Sequence, residues 1–130
     1  MNSQCLKIGF APILVAACAF ALIWYFCRPV FVVHYSKLGS ESVGLIYDTD
    51  LYLSRRSLNP GESARYFTDW RQEADYWTGL SVLAEHRDEV EFTGSFSRID
   101  LCVGPSAKIE RVQTRHGFFD RFTYPNPPCD

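Results

Sequence analysis

Residues 8–27 (IGFAPILVAACAFALIWYFC) carry no charge and include no Asn, Gln or Ser. At 1.5 Å per residue, a helix of about that length covers the ~30 Å of hydrocarbon in a bilayer. Trp24 and Tyr25 stand near the end of the run, where amphipathic rings favour the headgroup zone, and Arg28-Pro29 closes it. Pro12 falls within the first turns, where its missing N–H costs little. The run predicts one membrane-spanning helix over residues 8–27 and sets residues 1–29 apart as an anchor.

Other fates for this segment remain open. Lys7 followed by an apolar stretch has the form of a cleaved signal peptide, and Val15-Ala16-Ala17-Cys18 has the form of a lipobox, which would make Cys18 a lipidated N-terminus. A buried globular helix is a third reading. Against the lipoprotein, residues 19–27 stay apolar where a polar tether is usual. For orientation, Lys7 on one side and Arg28 and Lys37 on the other give no clear positive-inside bias. A short tail ahead of a signal-like helix usually stays inside, so the expectation is a single-pass inner-membrane protein with its C-terminal domain in the periplasm.

Residues 30–124 read as one β-rich domain, since 130 residues leave room for only one core beyond the anchor. Strands are expected at 30–35, 43–47, 51–53, 64–67, 76–84, 90–103, 108–113 and 118–124, each bounded by turn signals. Asn59-Pro60-Gly61 is the strongest turn, because Pro presets one position and Gly accepts positive φ at the next. Gly79 marks a bulge or a close approach, and residues 86–89 a charged turn. Around residues 96–103, Phe96, Arg98, Asp100 and Cys102 share one face, while Ser97, Ile99, Leu101 and Val103 occupy the face assigned to the core. A helical turn fits only at 67–74, with Asp69 as N-cap. The fold class is all-β: a small sandwich or barrel-like domain preceded by one transmembrane helix.

After the anchor, fifteen acidic residues face twelve Lys and Arg, a net charge near −3, which argues against nucleic acid. Cys102 and Cys129 are the thiols of the soluble part. Paired, they would close a loop of about 28 residues, worth roughly 3.5 kcal/mol on the chain-entropy estimate, and pin the Pro-rich tail at 125–130. Unpaired, Cys102 would be a buried free thiol.

Catalytic and metal chemistry find little footing. His34, His86 and His116 lie far apart without the spacing of a zinc site, and Asp48-x-Asp50 lacks the remainder of a calcium loop. Glu89 and Glu91 lie on one side of a strand, where charges that deter edge aggregation explain them more simply than acid–base work does. No cofactor or metal is implied, and no enzyme. The segment DWRQEADYW at 69–77 stands out, because its mixture of aromatic anchors and polar partners is the composition of interface hot spots. Asp69, Trp70, Arg71, Glu73, Asp75 and Tyr76 are therefore the candidate partner-binding residues, with Trp77 and Trp70 alternatively capping the core.

The lone anchor, the run 59–63 (NPGES), Tyr76-Trp77 leading into a strand, FSRIDLCVGPSAKIERV at 96–112 and FFDRF at 118–122 together resemble small membrane-anchored proteins of Gram-negative bacteria, among them periplasmic immunity proteins. The resemblance implies a non-enzymatic β-domain that binds a secreted toxin or effector and obstructs its active cleft. An accessory structural subunit of an envelope or secretion complex is the alternative.

Overall fold

The computed structural model describes residues 3–122 and Cys129, with side chains from Phe10 onward. Helix α1 (Ser3–Phe26) is followed, after residues 27–29, by eight strands: β1 (Val30–Tyr35), β2 (Val43–Thr49), β3 (Leu53–Leu58), β4 (Ser63–Phe67), β5 (Trp77–Leu83), β6 (Arg87–Thr93), β7 (Arg98–Val103) and β8 (Ile109–Arg115). They form two four-stranded sheets, ordered β4-β1-β7-β8 and β3-β2-β5-β6. The protein is thus mostly β, a sandwich with a single helix.

Alternation along the strands builds the core. In β2, Val43, Leu45, Tyr47 and Thr49 point inward and are buried, while the residues between them are half-exposed. Phe31, Val33 and Tyr35 of β1 and Ile99, Leu101 and Val103 of β7 supply the facing layer. Aromatic rings cross the interface: Phe31 lies 5.2 Å from Tyr47 and 5.7 Å from Phe92, and Tyr47 stacks on Tyr66 at 4.3 Å. The sheet rims differ sharply from this. Exposed Arg55 and Arg56 lie on edge strand β3, and exposed Glu89 and Glu91 on edge strand β6, which deters pairing with a second chain.

Strands β1 and β7 pair in parallel, from Val30 opposite Arg98 to Tyr35 opposite Val103, and every residue of both is buried. Parallel strands covered on both faces need a second layer. Among the described residues it is supplied by the chain after β8. The 3₁₀ turn at Phe118–Phe122 places Arg121 against Ser97, and Cys129 is disulfide-bonded to Cys102 with Cα atoms 5.4 Å apart. The rest of the expected tail, with Tyr124 and the prolines, lies outside the described residues.

The Asn59-Pro60-Gly61 turn forms as its sequence dictates. Gly61 takes φ 81°, Glu62 N–H donates to the Asn59 carbonyl at 3.0 Å, and the Glu62 carboxylate accepts from Asn59 N–H at 2.9 Å. Gly79 is a close approach rather than a bulge: β5 stays in register, and a Cβ at Gly79 would sit 2.8 Å from the Trp77 ring.

Several expectations are corrected. Residues 90–103 are two strands, not one, because Gly94 at φ 97° turns the chain between β6 and β7. Phe96 accordingly leaves the outer face and joins the core. Residues 51–52 form the tip of the β2–β3 hairpin, and the charged segment at 87–89 belongs to β6 rather than to a turn. The expected last strand at 118–124 is a 3₁₀ turn through its described part, since the Asp120 carboxylate caps Gly117 N–H at 2.9 Å and Asp120 N–H returns to the Gly117 carbonyl. Trp77 does not cap the core but covers Gly79 on the outer face of its sheet. Among the described residues no helix is long and apolar enough to cross a membrane. The described side chains of α1 begin at Phe10, short of the full run at 8–27.

The disulfide closes a loop spanning 27 positions of sequence across the outer layer. Cys129→Ser is expected to lower unfolding stability by roughly 3.5 kcal/mol. Denaturant titration of the oxidised protein against the variant checks this, and reductant should bring the wild type to the same midpoint.

Candidate functional site

The segment between β4 and β5 is anchored at both ends and open in the middle. At its start, Thr68 gives both its N–H (2.9 Å) and its hydroxyl (3.1 Å) to the Pro29 carbonyl. Gln72 then bridges, donating to Thr68 Oγ1 at 2.9 Å and accepting from Phe96 N–H at 2.7 Å. At its end, Tyr76 N–H bonds the Glu73 carbonyl and Gly94 N–H bonds that of Tyr76. These commitments leave the chain irregular, so the helical turn expected at 67–74 does not form.

Trp70 ties this segment to the helix. Its indole Nε1–H donates to the Trp24 carbonyl at 2.7 Å, its ring lies 5.2 Å from that of Trp24, and the Arg121 guanidinium covers it at 5.0 Å. Asp69, Arg71, Glu73 and Asp75 are exposed, whereas Tyr76 is buried in the core cluster. All six residues singled out in the sequence line one cavity of about 670 Å³, together with Trp24 and Leu51. Four carboxylates (Asp50, Asp69, Glu73, Asp75) face two guanidiniums (Arg28, Arg71) around it, so its field is acidic. The Arg71–Glu73 pair at 3.7 Å is solvated on both sides and contributes little.

A second cavity of about 430 Å³ adjoins the first, sharing Arg28, Leu51, Asp69 and Tyr76. Tyr47 and Tyr66 also line it. Burial pushes the phenols of Tyr47, Tyr66 and Tyr76 above their ordinary range, Tyr47 furthest, so all three stay neutral. Thr78 lies beside Tyr47 and Tyr76 and eases both shifts slightly, yet no well-directed hydrogen bond reaches any of these four hydroxyls among the described residues. The trough therefore has acidic walls, an indole fixed against the helix end and a phenolic floor.

A different polar cluster lies under the outer layer of the first sheet. Arg98 grips Asp100 with both nitrogens, Nε to Oδ2 at 2.6 Å and Nη2 to Oδ1 at 2.8 Å. His34 Nε2 meets Asp100 Oδ1 at 3.0 Å and its Nδ1 meets Ser63 Oγ at 2.9 Å, while Arg98 Nη1 donates to the Arg121 carbonyl. Burial favours a neutral Asp100, but hydrogen bonds from His34 and Arg98, with their charges, outweigh it and hold the carboxyl below its ordinary value.

A Ser–His–carboxylate line is also the arrangement of nucleophilic hydrolases. Here Arg98 occupies both oxygens of the carboxylate, and neither Ser63 nor His34 lines either of the cavities above. The cluster joins β4, β1, β7 and the 3₁₀ turn, and that cross-linking is the work its geometry performs. Sequence reading missed it, although two signals were present: His34 interrupts an apolar strand, and Arg98 and Asp100 sit two apart on one face.

No family model, curated protein or solved structure matches the chain.

Removing one partner from a buried pair strands the other. Arg98→Met is therefore expected to cost roughly 3–5 kcal/mol in a denaturant titration. The acid dependence has a definite sign. Because the folded Asp100 pKa lies below the unfolded 3.8, its stabilisation is complete above that value and is lost as pH falls through the lower folded one. Asp100→Asn should flatten the loss of stability below about pH 4. Equal acid slopes in the two proteins would show that Asp100 is not the group responsible.

Proposed function

We propose that this protein is a membrane-anchored periplasmic binding module that neutralises a cognate secreted toxin by occluding its active site, with residues 69–76 as the recognition segment. The observation that carries the reading is the convergence of Asp69, Trp70, Arg71, Glu73, Asp75 and Tyr76 on one cavity, around an indole already held by the helix end. Preorganised aromatic groups lose little conformational entropy on binding, which is why Trp, Tyr and Arg dominate hot spots. The acidic walls fit a basic partner surface, such as one that binds a polyanionic substrate.

Anchoring is supported by α1 itself. It runs for 24 residues with Lys7 as its one charge, and each described side chain at positions 10–26 is exposed and without charge. A helix apolar all round requires either a protein core or lipid around it. Together with residues 8 and 9 and Cys27, the uncharged run reaches the length of a span. The Cys102–Cys129 disulfide fits an oxidising compartment, which supports a β-domain outside the cytoplasm. In this reading the domain performs no catalysis and needs no cofactor.

Trp70→Ala combined with Arg71→Ala should abolish protection of cells exposed to the cognate toxin and weaken binding by at least about thirtyfold, the ~2 kcal/mol typical of a hot spot. Circular dichroism of the variant controls for folding. Full protection by the folded variant would remove this segment from recognition. Exchange of residues 1–23 for an unrelated anchor, with residues 24–28 kept because Trp24 and Arg28 line the trough, should leave protection intact, and its loss there would favour a subunit whose helix packs in an assembly.

A further inference from the structure

Outside α1, the large apolar side chains that stand exposed among the described residues gather at one end of the sandwich. Leu51, Tyr52 and Leu53 crown the β2–β3 hairpin, and Phe118, Phe119 and Phe122 belong to the 3₁₀ turn; Leu51 is 82% exposed and Phe119 78%. Topology brings both groups to the end at which α1 enters. Tyr47, near the end of β2, stacks on Tyr66 of β4, which pairs with Phe31 near the start of β1. Arg115 closes β8 opposite Arg98, itself opposite Val30, so the 3₁₀ turn that follows starts beside the helix exit. The opposite end of the sandwich exposes Leu38 and, less fully, Leu83.

The two groups flank the helix end. Leu51 shares a cavity wall with Trp24, and Phe122 shares one with Phe26. Residues two apart on an α-helix point about 200° apart around its axis. Trp24 and Phe26 therefore face nearly opposite ways, and the hairpin tip and the 3₁₀ turn lie on opposite sides of α1. Both reach the level of its last turn. The described side chains of α1 at positions 10–26 are themselves exposed and without charge, so whatever covers the helix continues onto the two tips. Apolar groups clustered in this way mark a contact surface, and leucine with aromatic rings suits the boundary between lipid and water.

We propose that the β2–β3 tip and the 3₁₀ turn seat the β-domain in the interfacial zone of a lipid bilayer, one on each side of α1. The assignment rests on the reading of α1 as a membrane anchor, which puts Trp24 and Phe26, and the tips beside them, at headgroup level. Lipid is the occupant because the tips continue the surface of the helix at the depth where its apolar run ends. The contact is apolar in character. Asp50, Asp69, Glu73 and Asp75 line the trough that Leu51 shares, so an anionic surface offers this tip nothing that a zwitterionic one lacks. Two contacts on opposite sides of one helix set the tilt of the domain on the membrane, which a single tether leaves free.

The test uses full-length protein in phosphatidylcholine nanodiscs, with leucine methyls and phenylalanine rings isotope-labelled for NMR and a nitroxide on the lipid chain near the headgroup. Relaxation enhancement at Leu51, Leu53 and Phe122 should exceed that at Leu38, roughly a strand length (~20 Å) away at the far end, at least about tenfold. Leu51→Asp, at a position exposed enough for the fold to tolerate it, should cut the enhancement at Leu53 at least about threefold while Leu14 and Leu22 of α1 keep theirs. Enhancement at Leu14 and Leu22 with none at the tips, or at one tip alone, would overturn the seat and leave the anchor standing. No enhancement at Leu14 and Leu22 would overturn the anchor and the seat with it. Shielding of Leu51 from a water-soluble relaxation agent without enhancement from the lipid would assign the tip to a second protein chain and overturn the proposal. Replacement of phosphatidylcholine by phosphatidylglycerol should leave the Leu51 enhancement within about twofold, and a larger rise would mark a charge-driven contact and overturn the apolar one.

Discussion

Asp100 sits almost out of solvent on a central strand, and three side chains from different elements are arranged around it. Arg98 holds it from its own strand, His34 from the parallel neighbour, and Ser63 extends the chain of contacts to the edge strand β4 through His34. A parallel pair gains slightly less per residue than an antiparallel one, and β1 has β7 on one side and antiparallel β4 on the other. A charge cluster that is satisfied in one register and broken in any other fixes that pairing. Slippage by one residue would turn His34 into the core and strand a buried carboxylate. The same cluster reaches the outer layer through Arg98 and the Arg121 carbonyl. The disulfide at Cys102, two residues along the strand, closes the other end.

From that fixed sheet follows the junction with the helix. Only residues 27–29 separate α1 from β1, and three of the carbonyls from Trp24 to Pro29 accept hydrogen bonds from the β-domain. Trp70 binds the carbonyl of Trp24, Arg121 that of Cys27, and Thr68 that of Pro29. A free tether would leave such groups to water. Here the helix end is part of the domain, and the acidic trough beside it takes Trp24 and Arg28 into its own lining.

Much of the architecture was legible from local pattern. Strands β1, β2, β4 and β5 are where β-branched and aromatic residues alternate, and the Asn59-Pro60-Gly61 turn needs no tertiary help. The failures share a cause. Residues 118–122 carry the composition of a strand, but Asp120 closes a local turn and Arg121 is drawn to Ser97, so tertiary bonding overrides propensity. The turn at Gly94 was hidden in apparent alternation, and Phe96 changed faces with it. The loop at 69–76 was conspicuous by composition, because aromatic and charged residues at that density are unusual in a solvated connection. The cluster at Asp100 was not, because His34, Ser63 and Asp100 are brought together only by strand order, which no local window contains.

The claim on which the rest depends is that α1 is buried in lipid with the β-domain seated on the outer face of that membrane. Alkaline extraction of membranes from cells expressing the full chain, followed by protease treatment of intact and of outer-membrane-permeabilised cells, tests it most directly. The account predicts a protein that resists extraction and whose C-terminal domain becomes accessible to protease only on permeabilisation. Release into the alkaline supernatant, or protection until the inner membrane is lysed, would contradict it.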